Sequence, residues 1–385
     1  MVMKKKILFV LPSYEIGGTT VSTRHLISVL DKNKYDVKVW ALYEEGVLKW
    51  LYEDVKQLPS SFISMAFAIK GWRHASGRLH QYLAGLLRYL SKSTCIRGYL
   101  MRFAINRSLE NEHFDTVVAC EEGITTQIVE KIKTHNHIAW VRCDYKRYFE
   151  VALKGKFELI YEKYNHIVCV SEQTRNSFIS VYPSLINRTI CIYNPQDCKM
   201  ISKQAKIDDC DERFQSNERN VIVSLGRLSS VKRFNEIPII ANQLRKKGLS
   251  FTWYIIGEGE ERVDIEKKIQ QYNVAECVVL LGAKSNPYYY IEKATLYVCL
   301  SSSEACPRVI NEAKILGTPV VSTDFPTIIE YLQNGVNGLV VPLEKMSQTI
   351  IEVLTNISLY EKIKQEISNF AFDNRPLIEK LEAIL

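Results

Sequence analysis

Short apolar runs, rich in β-branched residues, alternate with longer helix-like segments along most of the chain. Each run has the length and composition of a strand buried on both faces, so the pattern predicts six strands in each half. The predicted strands are Ile7–Leu11, Val37–Leu42, Thr116–Cys120, Ile138–Val141, Ile167–Ser171 and Thr189–Tyr193, then Val221–Leu225, Phe251–Ile256, Val278–Leu281, Leu296–Leu300, Pro319–Ser322 and Leu339–Val341. Two such series predict an α/β protein with two doubly wound, Rossmann-like domains, each built on a parallel sheet.

A break in this pattern separates the two series of strands. Asn194-Pro195-Gln196-Asp197 ends the first series, and the polar, charge-rich stretch Lys199–Asn220 that follows is typical of an interdomain linker. We therefore predict a first domain over residues 1–197, a second domain over 198–370 and a C-terminal helix over 371–385.

One segment of the first domain, residues 60–109, contains eight Lys and Arg among aromatic and aliphatic residues and no Asp or Glu. Bases among aromatic residues suit a helix that lies on an anionic bilayer. An ordinary helical insertion would instead use the same apolar side to complete the domain core. Nucleic-acid binding is a third alternative, but no nucleic-acid-binding motif supports it. The candidate membrane residues are Lys70, Trp72, Arg73, Arg88, Arg97 and Arg102.

The charge distribution and the cysteines indicate what kind of partner and which compartment the protein has. The 385-residue chain has a formal net charge of +7, and residues 1–200 hold 28 Lys and Arg against 19 Asp and Glu, so a basic partner surface belongs to the first half. The ten cysteines form no Cys-x-x-Cys pair, which favours free thiols in a reducing, cytosolic compartment. The first apolar run is too short for a signal peptide, and no run approaches the ~20 residues of a membrane-spanning helix.

Two loops that follow predicted strands carry residues suited to binding phosphate. Gly17-Gly18 follows the first strand and opens a helix, where glycine lets backbone N–H groups approach an anion. A tight strand–helix turn would use the same glycines. In the second domain, Gly226-Arg227 and Lys232 follow the first strand, and two cations at the carboxyl end of a strand suit a diphosphate.

The segment Ser301–Ala313 is the most specific signal. It follows a predicted strand and places Glu304 on a loop and Glu312 eight positions later on a helix, with Pro307 suited to the first helical turn. Carboxylate oxygens accept hydrogen bonds, so two carboxylates at different depths suit the hydroxyl groups of two different sugars. Alternatively, Glu312 is an exposed helix residue and its apolar neighbours form an ordinary core face.

Several motifs occur together in order along the chain. Gly226-Arg227 with Lys232, Gly257-Glu258-Gly259, the pair Glu304 and Glu312, and Gly335-Val336-Asn337-Gly338-Leu339-Val340 resemble the C-terminal half of the retaining family-4 glycosyltransferases, in glycosyl transferases group 1. Gly17-Gly18, Val170-Ser171-Glu172 and Tyr193-Asn194-Pro195 extend the resemblance over most of the chain. The resemblance implies a GT-B fold, with two Rossmann-like domains facing across a cleft and a C-terminal helix that crosses back to the first. It also implies that the reaction needs no metal or other cofactor.

The resemblance also implies roles for individual residues. Arg227 and Lys232 would bind the diphosphate of a nucleotide-sugar donor, Glu312 the ribose, and Glu304 the transferred sugar. With Glu304, the two cations would form the catalytic set. Gly17 and Gly18 would approach the phosphate from the first domain, and the base would lie near Gly257 and Gly282. The remaining donor-binding candidates are Cys306, Pro307, Arg308 and Val309.

Four residues depart from the family pattern. Ala305-Cys306 stands where the family often has Gly-Phe, which puts the shape of the sugar pocket in doubt. Arg308 is an extra cation beside the phosphate. Arg142 stands where relatives often place a His that faces the sugar, and with Asp144 it is a candidate for the acceptor side.

The resemblance thus implies a retaining, metal-independent hexosyltransferase. Its donor would be a nucleotide-diphosphate sugar, with a UDP-sugar favoured, and its acceptor a lipid-linked oligosaccharide or other glycan of capsule or lipopolysaccharide synthesis. We expect a cytoplasmic protein, peripheral on the anionic inner face of the plasma membrane, without a nucleic-acid partner. Two rivals remain open: a UDP-sugar 2-epimerase type of enzyme on the same fold, and a catalytically silent membrane-bound scaffold.

Overall fold

The computed structural model describes residues 3–67, 82–83, 85–87, 89, 94–110, 112–155, 159–207, 211–215 and 220–385. The chain divides into two compact units. The first unit consists of Met1–Pro195 together with Asn374–Leu385, and the second unit of Gln196–Asp373. Sequence analysis divided the chain between residues 197 and 198, two residues from this division.

The first unit is built on a seven-stranded sheet in which every pair of neighbouring strands is parallel. The strands are β1 (Lys5–Ser13), β2 (Tyr35–Tyr43), β3 (Lys56–Gln57), β4 (Thr116–Ala119), β5 (Asn136–Val141), β6 (His166–Cys169) and β7 (Thr189–Cys191), in the order β3-β2-β1-β4-β5-β6-β7. Its helices are α1 (Gly18–Ser28), α2 (Phe62–Phe67), α3 (Thr94–Leu109), α4 (Ile124–Val129), α5 (Tyr145–Val151) and α6 (Glu172–Val181). The order reverses between β1 and β4, which makes their carboxyl ends the switch point of this sheet.

The second unit contains a six-stranded sheet that is also entirely parallel. Its strands are β8 (Val221–Leu225), β9 (Thr252–Ile256), β10 (Val278–Gly282), β11 (Leu296–Cys299), β12 (Val320–Thr323) and β13 (Leu339–Val341), in the order β10-β9-β8-β11-β12-β13. Its helices are α7 (Cys198–Ala205), α8 (Ile237–Lys246), α9 (Arg262–Gln271), α10 (Tyr288–Lys293), α11 (Arg308–Ile315), α12 (Met346–Thr355) and α13 (Ile357–Ser368). The switch point lies between β8 and β11.

All twelve predicted strands are confirmed, each within two residues of its predicted ends. They are buried because helices cover parallel sheets on both faces, as the continuous apolar runs require. The sequence missed β3, a two-residue edge strand that pairs Lys38 with Lys56 and Val39 with Gln57. An edge strand of polar residues has no apolar run by which it could be found.

The predicted linker Lys199–Asn220 is wrong over its first part. Helix α7 occupies Cys198–Ala205 and belongs to the second unit, where Ile201 and Ala205 pack against Tyr288. Phe214 is also buried, with its ring centroid 4.8 Å from that of Tyr254. The stretch contains so few apolar residues among its charged ones that its composition gives no sign of this packing.

The chain ends in helix α14 (Arg375–Glu382), which belongs to the first unit. The hydroxyl of Thr116 on β4 donates a hydrogen bond to the carbonyl of Leu385 at 3.0 Å, and the amide of Asn136 on β5 donates to the carbonyl of Ile384 at 2.6 Å. Leu381 is buried on this helix. The last turn of the chain is thus fixed to the amino ends of two central strands.

Helix α3 is apolar on two faces. Met101, Ala104 and Ile105 are buried in the first unit, whereas Tyr99 and Phe103 are 71% and 50% exposed. None of the helices in the described ranges is both long enough and apolar enough to cross a bilayer.

We expect Leu381→Ala to destabilise the first unit. Removing a fully buried leucine side chain costs about 2 to 4 kcal/mol of unfolding free energy through lost burial and the cavity that remains. Urea unfolding monitored by circular dichroism measures the change. Glu379→Ala, an exposed position of the same helix, is the matched control and should change the unfolding free energy by less than about 0.5 kcal/mol. Equal effects of the two substitutions would show that α14 does not stabilise the first unit by packing.

Candidate functional site

The carboxyl ends of β8 and β11, at the switch point of the second sheet, carry most of the residues singled out from the sequence. Gly226 and Arg227 follow β8 directly, and the loop that leads to Glu304 follows β11. In an open parallel sheet the two loops at a switch point diverge and leave a crevice where ligands bind. The topology therefore gathers residues that are more than seventy positions apart in the sequence.

The loops after β8 and β9 pack against each other at three glycines, Gly226, Gly257 and Gly259. A Cβ atom on Gly257 would lie 1.8 Å from the carbonyl oxygen of Gly226, and one on Gly259 would lie 2.2 Å from that of Leu228. The Gly257 N–H donates a hydrogen bond of 2.9 Å to the carbonyl of Gly282, where β10 ends. Gly257 and Gly282, predicted to lie near the base, thus sit where three strands end and hold their loops together.

Lys232 forms an ion pair with Glu304 across the switch point. Their side chains are 22% and 15% exposed, so the pair is largely shielded from water. Although burial opposes it, the carboxylate of Glu304 raises the pKa of Lys232, which stays protonated. The hydroxyl of Ser301 donates a second hydrogen bond to the same Glu304 oxygen at 2.7 Å.

Backbone contacts fix the loop that carries Glu304. The N–H of Ser302 donates to the carbonyl of Val231 at 2.8 Å, which joins this loop to the turn containing Lys232. The hydroxyl of Thr327 donates to the carbonyl of Glu304 at 2.5 Å. The sequence analysis did not select Thr327, although it lies after β12 at the same edge of the sheet.

Helix α11 begins at Arg308, and Pro307 is its N-cap residue rather than part of the first turn as predicted. No side chain caps the helix at this end, where the backbone N–H groups and the helix dipole favour an anion. The hydroxyl of Tyr331 lies 3.0 Å from the sulfur of Cys306, just before the helix. Tyr331 therefore contacts Cys306, one of the residues that depart from the family pattern.

Arg308 and Glu312 form an ion pair on α11, with 2.8 Å between the guanidinium and carboxylate atoms. The Glu312 side chain is 1% exposed and that of Arg308 is 13% exposed. Burial raises the pKa of Glu312, and the neighbouring guanidinium of Arg308 opposes this rise. Glu312 is therefore not an exposed helix residue, which removes that alternative from the sequence analysis.

Arg227 differs from the other two cations of the site. It is exposed and has no hydrogen bond or ion pair with the residues that the structure describes. Arg227, Lys232 and Arg308 together carry three positive charges, and the paired carboxylates carry two negative charges. The switch point thus has a positive balance, and one guanidinium is available to an anion.

The first unit places Gly17 and Gly18 at the start of α1, beside its own switch point. Gly17 has an extended backbone that any residue can adopt, with φ of −175°. A Cβ atom on Gly17 would meet only the carbonyl oxygen of Glu15 at 4.0 Å, and one on Gly18 would meet nothing within 4 Å. Neither the backbone nor the packing of the described residues requires glycine here.

Arg142 follows β5 and is engaged by its own unit. Its guanidinium donates hydrogen bonds to the carbonyl of Cys120 at 2.6 Å, the hydroxyl of Ser22 at 2.7 Å and the side-chain oxygen of Asn194 at 2.7 Å. Asp144 caps helix α5 by accepting from the N–H of Arg147 at 3.3 Å. Both acceptor-side candidates therefore have internal contacts that account for their residue types.

Of the predicted membrane residues, Lys70, Trp72, Arg73 and Arg88 lie outside the described residues. Arg102 is exposed on α3, whereas Arg97 is half-buried and donates a hydrogen bond to Gln127. Val309, the last donor-side candidate, is half-buried in the first turn of α11.

Lys314, which the sequence analysis did not select, is buried on α11. Its ammonium donates to the carbonyl of Tyr331 at 2.7 Å and lies 4.1 Å from the centre of the Phe370 ring. Burial lowers its pKa to about 8. A single Lys in a helix gives no sequence signal of burial, so only the structure reveals it.

Comparison with known proteins gives consistent findings. Residues 208–370 match the family described as glycosyl transferases group 1. An uncharacterized glycosyltransferase of Haemophilus influenzae is 23% identical over 394 residues, covering 100% of both chains. The lipopolysaccharide core biosynthesis glycosyltransferase LpsE of Rhizobium meliloti is 28% identical over 148 residues, 38% of this chain and 42% of its own.

Solved structures share the fold of the whole chain. The crystal structure of Anabaena Alr3699/HepE in complex with UDP-glucose matches with a TM-score of 0.72 at 17% identity, covering 98% of this chain and 99% of that one. With the two parallel sheets, this likeness confirms the predicted α/β fold of the GT-B type.

Lys314→Met should remove a pH dependence of stability. The pKa of Lys314 is about 8 in the folded protein and 10.5 without burial. Between these values the unfolded state binds more protons, so the unfolding free energy of the wild type should rise with pH relative to the variant, by on the order of 2 to 3 kcal/mol. Urea unfolding at pH 7.5, 8.5 and 9.5 measures this difference. A difference between the two proteins that stays constant with pH would contradict the lowered pKa.

Proposed function

We propose that the chain, whose residues 208–370 match the glycosyl transferases group 1, transfers a hexose from a nucleotide-diphosphate sugar to a glycan acceptor. The observation that carries the proposal is the group of three cations, Arg227, Lys232 and Arg308, at the switch point of the second sheet. They lie with the uncapped start of α11, a combination suited to a diphosphate.

The demanding step in such a transfer is departure of the nucleoside diphosphate, which gains negative charge as the glycosidic bond breaks. Arg227, exposed and unpaired among the described residues, is the cation best placed to respond to that charge. Lys232 adds a second positive charge held in place by Glu304. Fixed charges of this kind stabilise the transition state without reorganising, which is usually the largest catalytic contribution. The proposal assigns this role to side chains and requires no metal ion.

Glu304 and Glu312 supply carboxylates for hydroxyl groups of the donor. Glu304 lies on the loop after β11 and is proposed to hold the transferred sugar, whereas Glu312 lies deeper and is proposed to hold the ribose. UDP is the favoured nucleotide because the solved Anabaena relative is in complex with UDP-glucose. We propose transfer with retention, by attack of the acceptor hydroxyl from the side of the leaving group.

The acceptor is proposed to be a lipid-linked glycan of a surface polysaccharide, recognised by the first unit. The likeness to LpsE, a lipopolysaccharide core enzyme, supports a polysaccharide acceptor. Gly17 and Gly18 also support a ligand role for this unit, because nothing in the described protein requires glycine at either position.

An epimerase would use the same donor groups without an acceptor. A silent scaffold would not need to keep four charged donor-site residues.

The second part of the proposal concerns helix α3. Its outward face presents Ile96, Tyr99 and Phe103, at 41%, 71% and 50% exposure, beside the exposed Arg102. Aromatic residues with bases, and without any acid in residues 60–109, suit the headgroup region of an anionic bilayer. We propose that this face holds the protein at the membrane that carries its acceptor.

A thermal-shift panel of UDP-, GDP- and ADP-sugars tests the donor site. We expect one donor to raise the melting temperature by several degrees, since ligand at about 100 times Kd adds about 2.7 kcal/mol. Arg227→Ala should weaken its binding about tenfold, while Arg245→Ala, a surface arginine paired with Glu276, should not. No shift with any donor would contradict the proposal.

Products of the same donor separate the rivals. Transfer to a glycan acceptor, with an anomeric configuration by NMR that matches the donor and a rate unchanged by EDTA, supports the retaining, metal-independent transferase. A free epimerised sugar formed from donor alone supports the epimerase. Binding without either product supports the silent scaffold.

Flotation with anionic and with zwitterionic vesicles tests the membrane face. We expect the wild type to float with phosphatidylglycerol vesicles at low salt and less at 0.5 M salt, because screening weakens attraction of the bases to the headgroups. The double variant Tyr99→Ser and Phe103→Ser should float several-fold less. Ile357→Ser, a 77% exposed apolar position of the second unit, is the matched control and should float like the wild type. Equal flotation of all three proteins would rule out α3 as the membrane contact.

A further inference from the structure

The ion pair between Arg308 and Glu312 occupies the groups that the donor needs. The carboxylate of Glu312 is 1% exposed and lies 2.8 Å from the guanidinium of Arg308. A ribose hydroxyl that binds the paired oxygen of Glu312 must therefore share or displace that guanidinium. Conversely, Arg308 cannot present its full fork to a phosphate while it holds the carboxylate.

This ion pair is not arranged for helix stability. An acid that precedes a base by four residues complements the helix dipole, whereas here the base comes first. Arg308 is the first residue of α11, at the end where the dipole disfavours a cation. Helix α9 of the same unit also begins with a base paired to an acid four residues later, Arg262 with Glu266, but those side chains are 34% and 49% exposed, whereas Glu312 is 1% exposed. The base-first order is therefore not peculiar to α11, and what distinguishes the pair of Arg308 and Glu312 is its burial.

Burial makes the pair sensitive to its surroundings. Removing one partner from a buried pair leaves the other charge without compensation, which is costly. The negative charge of Glu312 also reaches the neighbouring Tyr288, where it is the next cause of the raised pKa of the hydroxyl after burial itself. A ligand that takes only one member of the pair must leave the other member poorly compensated.

We propose that Arg308 and Glu312 exchange partners when the donor binds: the diphosphate takes the guanidinium and the ribose hydroxyls take the carboxylate. This inference rests on the proposed function and adds Arg308 as the residue that couples the two halves of the nucleotide site. A nucleoside diphosphate compensates both charges at once. A nucleoside offers hydroxyls but nothing for Arg308, so the ion pair selects against nucleosides.

The test compares nucleosides with nucleoside diphosphates on Arg308→Gln. Calorimetric titration of UDP, GDP and ADP, and of uridine, guanosine and adenosine, gives the affinity ratio of diphosphate to nucleoside for the base that the wild type prefers. We expect the variant to bind the diphosphate at least about tenfold more weakly, because a hydrogen bond to a charged group is lost. It should bind the nucleoside several-fold more tightly, because Glu312 is released from the pair.

Two further variants strengthen the test. Glu312→Gln should bind the nucleoside more weakly but inorganic pyrophosphate at least as well as the wild type, because Arg308 is released. Arg308→Lys keeps the charge without the planar fork and should give an intermediate affinity ratio, so it replaces Arg308→Gln if that variant melts more than a few degrees below the wild type. Arg245→Gln is the control. Arg245 lies in the last turn of α8 and pairs with Glu276, so its substitution should leave the affinity ratio unchanged.

Two outcomes overturn the inference in different ways. If Arg308→Gln weakens nucleoside and diphosphate by the same factor, Arg308 merely supports Glu312, and the proposed function stands without the exchange. If no nucleoside diphosphate binds the wild type, the proposed function itself fails and the exchange with it.

Discussion

The close contact between the loops after β8 and β9 is the constraint on which the candidate donor site depends. The carbonyl oxygen of Gly226 occupies the space that a Cβ atom on Gly257 would need, and Leu228 does the same at Gly259. This contact fixes the path of the chain on both sides of Arg227. Because β11 is the other neighbour of β8, the same path places Lys232 against Glu304. A side chain at Gly257 would therefore disturb the charged groups without touching them.

Two of the three cations at this switch point are paired with carboxylates, and this pairing decides what the site can bind. Lys232 and Arg308 each hold a carboxylate, and both pairs are largely shielded from water. Arg227 remains exposed and unpaired among the described residues. A ligand with negative charge alone would satisfy Arg227 but leave the carboxylates unused. A ligand with phosphates and sugar hydroxyls together can satisfy the whole set, which is why the arrangement favours a nucleotide sugar.

The first unit uses its polar residues differently. Arg142, a candidate for the acceptor side, connects the end of β4, helix α1 and Asn194 and so joins three segments of its own unit. Helix α14 ties the end of the chain to β4 and β5. Gly17 and Gly18 contrast with these residues, because their type is explained by neither backbone conformation nor packing.

The sequence alone determined the strands, the two-domain α/β fold, the positions of Arg227, Lys232 and Glu304 in loops after strands, and the position of Glu312 on the helix that follows. These features are local: an apolar run of β-branched residues forms a strand wherever helices can cover it, and the loop after a parallel strand lies at the ligand edge of the sheet. Only the tertiary structure decided which charges pair, since Lys232 meets a carboxylate seventy-two residues away. It alone showed that α7 packs within the second unit, that Arg142 is occupied and that Lys314 is buried. Pairing and burial depend on distances through space between segments far apart in sequence, and no local pattern encodes those distances.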